Sequence, residues 1–194
     1  MTKNIKAYEF EELDDETREK IVQREIDRRR KHGDPSLPDF LKQTLKREIE
    51  NHDFLEQGDY GSDLELYYSL GYSQGDGASF EGSLEFTDEE NQMWYVTIKR
   101  KGHYYHKNTM KVSTVEAAAE TEEHYNFEDM TRQEIVELEQ EVGAVALDVA
   151  RGIADDIKEL GYDAIDEYES EERARQYIKE FKDCLYLEDG TEVC

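Results

Sequence analysis

The sequence predicts an α+β fold, and three observations predict it. Between Asp63 and Val112, apolar residues recur with a period of two: Leu64, Leu66, Tyr68, Leu70 and Tyr72, then Ala78, Phe80, Gly82, Leu84 and Phe86, then Trp94, Val96 and Ile98. That alternation is the mark of strands with one buried face. On either side the period changes to three and four, in Leu41, Leu45 and Ile49 and in Ile135, Leu138, Val142, Val145, Val149, Ile153, Ile157 and Leu160, as amphipathic helices require. The length of 194 residues suits one domain. The expectation is a small antiparallel β-meander over about residues 63–113, packed against N-terminal helices and a long C-terminal helix. As a single domain 1–194, it would hold two helices in 1–62, the sheet in 63–113, and an acidic helical part with a terminal hairpin in 114–194.

Each element follows from local chemistry. Asp14 or Asp15 caps a first helix whose stripe is Ile21, Val22 and Ile26, with Leu13 ahead of it. The run Arg28-Arg29-Arg30-Lys31-His32 offsets the dipole at its end, and Gly33 stops it. This is also the densest basic cluster, with phosphate or RNA contact as the competing reading. Asp34 to Pro38 holds both prolines and leads to a second helix, which has Phe40 beside its stripe and ends near Asn51-His52. Glu56 to Asp63 is turn-forming.

Tyr72 to Ser79 joins the first two strands, and Gly75 and Gly77 permit positive φ. Thr87 to Asn91 makes the next turn; a fourth strand is expected from His106 or Lys107 to Ser113, and a short helix from Thr114 to Thr121. Thr131-Arg132-Gln133-Glu134 is a capping box. It opens a helix of about 30 residues, roughly 45 Å, which Gly161 is expected to end. Ser170 caps a last helix carrying Ala174, Tyr177, Ile178 and Phe181, and Leu185 to Val193 reads as a terminal hairpin.

Charge narrows the function. The net charge is −25, divided as −1 over residues 1–50, −6 over 51–113 and −18 over 114–194. Direct binding to nucleic acid is disfavoured, because phosphate contacts need clustered Lys and Arg. Association with a basic surface is favoured and would be steered by charge. No apolar run approaches the roughly 20 residues of a membrane span. The N-terminus lacks the apolar stretch of a signal peptide, so the expected location is the cytoplasm. Cys184 and Cys194 are then expected as free thiols, with a disulfide between them as the alternative.

The search for chemistry comes up empty. Backbone amides in the loop Ser73, Gln74, Gly75, Asp76, Gly77 are of the kind that cradles anions. Yet Asp76 sits inside that nest, and neither a Walker lysine nor a following helix is present; a structural hairpin is the leading reading and a binding loop the other. Lys99, Arg100, Lys101, Lys107 and Lys111, with Tyr104 and Tyr105, resemble a base-stacking surface, but a solvated hairpin accounts for them. His103 and His106, three apart on a strand, would face opposite ways and make poor co-ligands. Asp155-Asp156 and the group Asp163, Asp166 and Glu167 could bind Mg2+ or Ca2+ weakly, but the EF-hand spacing is absent and a solvated face is the leading reading. The reading is of a protein without a catalytic residue, a metal or a cofactor.

Three stretches carry a resemblance. Tyr8-Glu9-Phe10-Glu11-Glu12-Leu13, the central run Tyr68 to Gly82 and the close Cys184-Leu185-Tyr186-Leu187-Glu188-Asp189-Gly190 together resemble a group of acidic phage and prophage proteins. The central S-Q-G-D-G-A-S-F-x-G is that group's most specific element, and some members are labelled as antitoxins of toxin–antitoxin pairs. The resemblance implies a phage or mobile-element origin, hence the cytoplasm of an infected bacterial host, and supplies no catalytic residues.

Origin and charge together give the expected function: binding and inhibition of a host defence nuclease or other nucleic-acid-binding protein, in the manner of an anti-CRISPR protein. Such partners hold basic channels for DNA or RNA. Glu137, Glu141, Asp148, Asp155, Asp156 and Glu159 would form the partner-binding surface and act as a DNA mimic. The second reading is an antitoxin-like or regulatory module that binds one partner, or a second copy of itself, through the apolar face of the long helix. A metal-dependent enzyme ranks third.

Overall fold

The computed structural model describes residues 6–56, 64–73, 75–181 and 184–193. The chain is α+β with a long C-terminal helix. It gathers into two compact units, Pro38–Tyr162 and Met1–Leu37 with Asp163–Cys194.

The larger unit is built on the alternating stretch. Its strands are β1 (Leu55–Glu56), β2 (Glu65–Ser69), β3 (Gly77–Thr87), β4 (Met93–Arg100) and β5 (Met110–Ala117). All pair antiparallel; β4 lies between β3 and β5, and both β1 and β2 pair with β3. The register sets Leu84 opposite Val96 and Phe86 opposite Trp94. With Phe80 and Ile98 these side chains are buried, so the period of two delivers one apolar layer. The helices of this unit are α2 (Leu37–Glu50), α3 (Ala119–His124) and α4 (Arg132–Tyr168), the last as far as Tyr162.

Three expectations are corrected here. The fourth long strand runs from Met110 to Ala117 after a 3-10 turn at Lys107–Thr109, so Thr114 to Ala117 is strand where a helix was expected. Pairing of Val115 with Val96 and of Ala117 with Trp94 outweighs the helix propensity of the alanines, and α3 begins only at Ala119. His103 stands in the connection between β4 and β5, and His106 caps the 3-10 turn by accepting from the Asn108 amide at 3.1 Å, so the two are not on one strand.

Helix α4 also does not stop at Gly161. It continues to Tyr168 because Gly161 is a packing position: a β-carbon there would overlap Leu70 and lie 3.3 Å from Leu41. Close approach also decides which face is buried. The buried seam is Val142, Gly143, Ala146, Ala150, Ile153, Ala154, Ile157 and Gly161. A β-carbon on Gly143 would meet Val115 at 3.0 Å. The seam is thus turned toward the small residues, about a fifth of a turn from the stripe of large ones. Val145, central in the expected stripe, is 50% exposed.

The smaller unit holds α1 (Asp15–His32), α5 (Glu171–Phe181) and the hairpin β6 (Leu185–Tyr186) with β7 (Glu192–Val193). Asp14 caps α1 by accepting from the Thr17 amide at 2.8 Å, and Gly33 ends it at φ 70°. Phe10, Leu13, Ile21, Val22, Ile26, Ala174, Ile178 and Tyr186 form its core. Tyr8 and Tyr186 exchange two backbone hydrogen bonds of 2.8 Å. Burial pushes the Tyr186 phenol up to about 12.

The basic cluster at the end of α1 is committed inside this unit. Arg28 and Arg29 both bind the buried Glu25, at 2.6 and 3.1 Å. Arg29 also donates to the Tyr168 carbonyl at 2.6 Å and sits over the Tyr168 and Tyr177 rings. Arg30 pairs with Glu169 at 3.1 Å. Cys184 is disulfide-bonded, against the expected free thiol; Cys194 lies outside the described residues.

Candidate functional site

The six acids singled out on α4 all fall within the larger unit. Glu137, Glu141, Asp148, Asp155 and Glu159 stand at i, i+4, i+11, i+18 and i+22. At 3.6 residues per turn that places them within roughly 40° of one another, along about 33 Å of axis. Asp156 lies about 60° further round. The stripe stands away from the buried seam, and Glu137, Glu141, Asp148, Asp156 and Glu159 are exposed.

Two of the six have a cation beside them: Asp155 pairs with Lys107, and Asp148 lies 3.7 Å from Arg151. Glu137 accepts from Gln133 at 2.9 Å. Among the described residues Glu137, Glu141, Asp156 and Glu159 have no ion pair. The stripe is sparser than nucleic acid. Five charges over that length give about one per 8 Å, against one per ~1.7 Å of duplex. It can present a negative field to a basic surface, but it does not reproduce phosphate spacing.

The candidate loop uses its acid differently. Asp76 is 5% exposed. Its carboxylate accepts from the Ser73 amide at 2.7 Å, the Ser73 hydroxyl at 2.8 Å, the Ser69 hydroxyl at 3.1 Å and the Tyr162 hydroxyl at 2.8 Å. Burial pushes its pKa up, but these donors outweigh it and hold the carboxyl at about 2. The acceptor inside the loop is thus its own side chain, held by one backbone amide and three hydroxyls.

Gly77 is required by close approach, since a β-carbon would come within 2.8 Å of the His106 Cα. Gly75 faces the Tyr104 ring, 3.6 Å from where its β-carbon would be. Tyr72, at φ 57°, packs against Tyr162 with the rings tilted at 31° and their centroids 4.6 Å apart. Gln74 lies outside the described residues.

A second aspartate repeats the arrangement in the turn between β3 and β4. Asp88 accepts from the amides of Glu90 and Gln92 at 2.9 and 2.8 Å, and from the Trp94 indole and Tyr125 hydroxyl, both at 2.8 Å. Burial again opposes ionisation and the four donors overcome it, so its pKa is lowered. Beside Asp88 runs a groove of about 380 Å³ between this turn and α4. Phe86 and Val142 are buried residues of its lining, and Phe54 and Val145 are exposed ones, 42% and 50%. Glu141 of the acidic stripe lines the same groove.

Sequence reading missed this feature, because Val145 counted as core and Phe54 fell outside every periodic run. The small residues Gly143, Ala146, Ala150 and Ala154 were the available signal that the seam would turn away from Val145.

The basic hairpin is partly tied down. Arg100 lies over Tyr67 at 3.9 Å and Tyr105 at 5.1 Å, between rings that stack at 9°. Lys99 stands directly opposite Lys111. Among the described residues no three His, Cys, Asp or Glu side chains gather as ligands for a metal, and no helix is long and apolar enough to cross a membrane. No protein-family model, curated protein or solved structure matches the chain.

Proposed function

We propose that this is a phage or mobile-element protein that binds a basic surface of a host nucleic-acid-binding defence protein, such as a CRISPR nuclease, and inhibits it. The observation that supports this reading is the line of solvent-facing carboxylates on α4, most of them without a cation. Exposed acids on one rigid face cost little in the fold and raise the encounter rate with a cationic partner. Their spacing favours recognition of the partner's basic surface by complementary charge over imitation of each phosphate.

The test is capture by the tagged protein from lysate of a bacterial host, washed at low and at high salt, with mass spectrometry of what remains. The reading predicts a nucleic-acid-binding protein that is released by salt and lost when Glu137, Glu141 and Glu159 are changed to Lys. Retention at high salt and by the charge-reversed chain would count against it. It would favour the second reading, an antitoxin-like or regulatory module held by apolar contacts, which the exposure of Val145 and Val136 on α4 supports.

A further inference from the structure

The groove beside Asp88 carries an inference that rests on the acidic-surface reading and sharpens it. The groove is apolar at its base and acidic at its rim. Leu138, Val142, Val145 and Val149 contribute from α4, and Phe54 and Phe86 from the sheet side. Glu89, Glu90 and Glu141 edge it, and no Lys or Arg belongs to its lining. Glu90 has His124 beside it at 2.9 Å. Glu89 and Glu141 have no ion pair among the described residues. Half-exposed Val145 and Phe54 leave apolar area in water that a partner side chain would cover.

We infer that this groove is the anchor point of the acidic surface, and that it takes a segment of the partner in which one bulky apolar side chain is flanked by Lys or Arg. The two parts of the site divide the work as interfaces commonly do. A rim of charge sets orientation and encounter rate; a desolvated apolar contact near the centre supplies most of the holding energy. An acidic peptide would meet Glu89, Glu90 and Glu141 as like charges. A purely cationic one would leave the apolar base uncovered. Glu141 belongs to both the stripe and the groove, which fixes where along α4 the partner is centred.

The probe is a fluorescein-labelled peptide, Lys-Arg-Leu-Phe-Arg-Lys, titrated by anisotropy against the whole chain. Trp94 emission serves as an internal readout, because the Trp94 indole donates to Asp88 at the groove edge. Three comparison peptides replace Leu-Phe by Gly-Gly, replace the cations by Glu, or replace them by Ser. The expected result is binding that weakens about tenfold with Gly-Gly and with Val145→Lys, the loss of one anchor contact. Glu141→Gln should weaken it about threefold, as loss of a rim charge does, and Asp39→Asn, at an exposed acid outside both the stripe and the groove lining, should leave it unchanged.

Equal binding by the Gly-Gly peptide would overturn the groove while leaving the acidic surface standing. Equal binding by the Ser or Glu peptides would overturn the charged rim. No binding by any peptide would overturn the proposal outright. The acidic-surface reading falls separately, by a captured partner that neither salt nor charge reversal at Glu137, Glu141 and Glu159 releases.

Discussion

In the loop between β2 and β3 the Asp76 carboxylate is met by four donors and nearly removed from water. On the outer face of α4, Glu137, Glu141 and Glu159 point into solvent with no ion pair among the described residues. The two regions were candidate sites on opposite grounds, the loop for backbone amides that could cradle an anion and the helix for its acids, and each holds carboxylates. The difference teaches that carboxylates in a chain of net charge −25 do two kinds of work. Turned inward and saturated with donors, they fix turns; turned outward and left unpaired, they give the surface its field. An ionised group survives burial only when its hydrogen bonds replace those to water. The donor count around each acid therefore separates the two kinds.

The comparison breaks first at Asp76. Replacing it by Ala leaves Ser69, Ser73 and Tyr162 without their shared acceptor, at a cost of about 3 kcal/mol in stability by urea denaturation. A cost below about 0.5 kcal/mol, the level of an ordinary surface change, would show that the loop does not depend on it. Gly77→Ala comes next, at about 2 kcal/mol, because the new β-carbon meets His106 backbone rather than a flexible side chain. Gly152 sharpens the contrast: it is helical, and a β-carbon there meets nothing within 4 Å. Gly152→Ala is therefore expected to stabilise by about 0.5–1 kcal/mol.

Acid sensitivity separates the regions further. The Asp76 carboxyl is held at about 2, below its ordinary 3.8. The stability it contributes is present in full above that ordinary value and is lost as pH falls from there through about 2. Asp88, also lowered, works in the same direction. A pH series of urea midpoints should show the acid limb flattened in Asp76→Asn. The variant with Glu137, Glu141 and Glu159 all changed to Gln is measured beside it. The smallest stability effect belongs to that triple variant, within about 0.5 kcal/mol of the parent, and its consequence is expected in binding instead.

The centre of the sheet was legible because alternation fixes which side of β3 and β4 is buried; β2, half-buried from Leu66 to Ser69, shows no such sidedness. The capping chemistry of Asp14, Thr131 and Ser170 located helix starts in the same way. The extent of β5 was not legible, since Thr114 to Ala117 is decided by pairing with β4 rather than by its alanines. Gly161 misled for a related reason. A glycine that ends a helix and one that admits Leu70 look alike in a linear sequence. The acids of α4 could be named in advance, as could the place of Asp76 in its glycine-rich loop, but not the four donors that surround it. The groove was hidden because a helix stripe does not say which of its large residues the small ones will leave uncovered.

On the proposed function, the outward acids form the partner-binding surface. Its most direct test is the affinity for the captured host protein measured across a salt series, for the parent chain and for the Glu137→Lys, Glu141→Lys, Glu159→Lys variant. The parent's affinity is expected to fall steeply with salt, and nucleic acid bound by the partner is expected to compete with it. The variant should bind at least tenfold more weakly at low salt, as loss of charge complementarity at several rim positions requires. A parent and variant that bind alike, with affinities indifferent to salt, would contradict it.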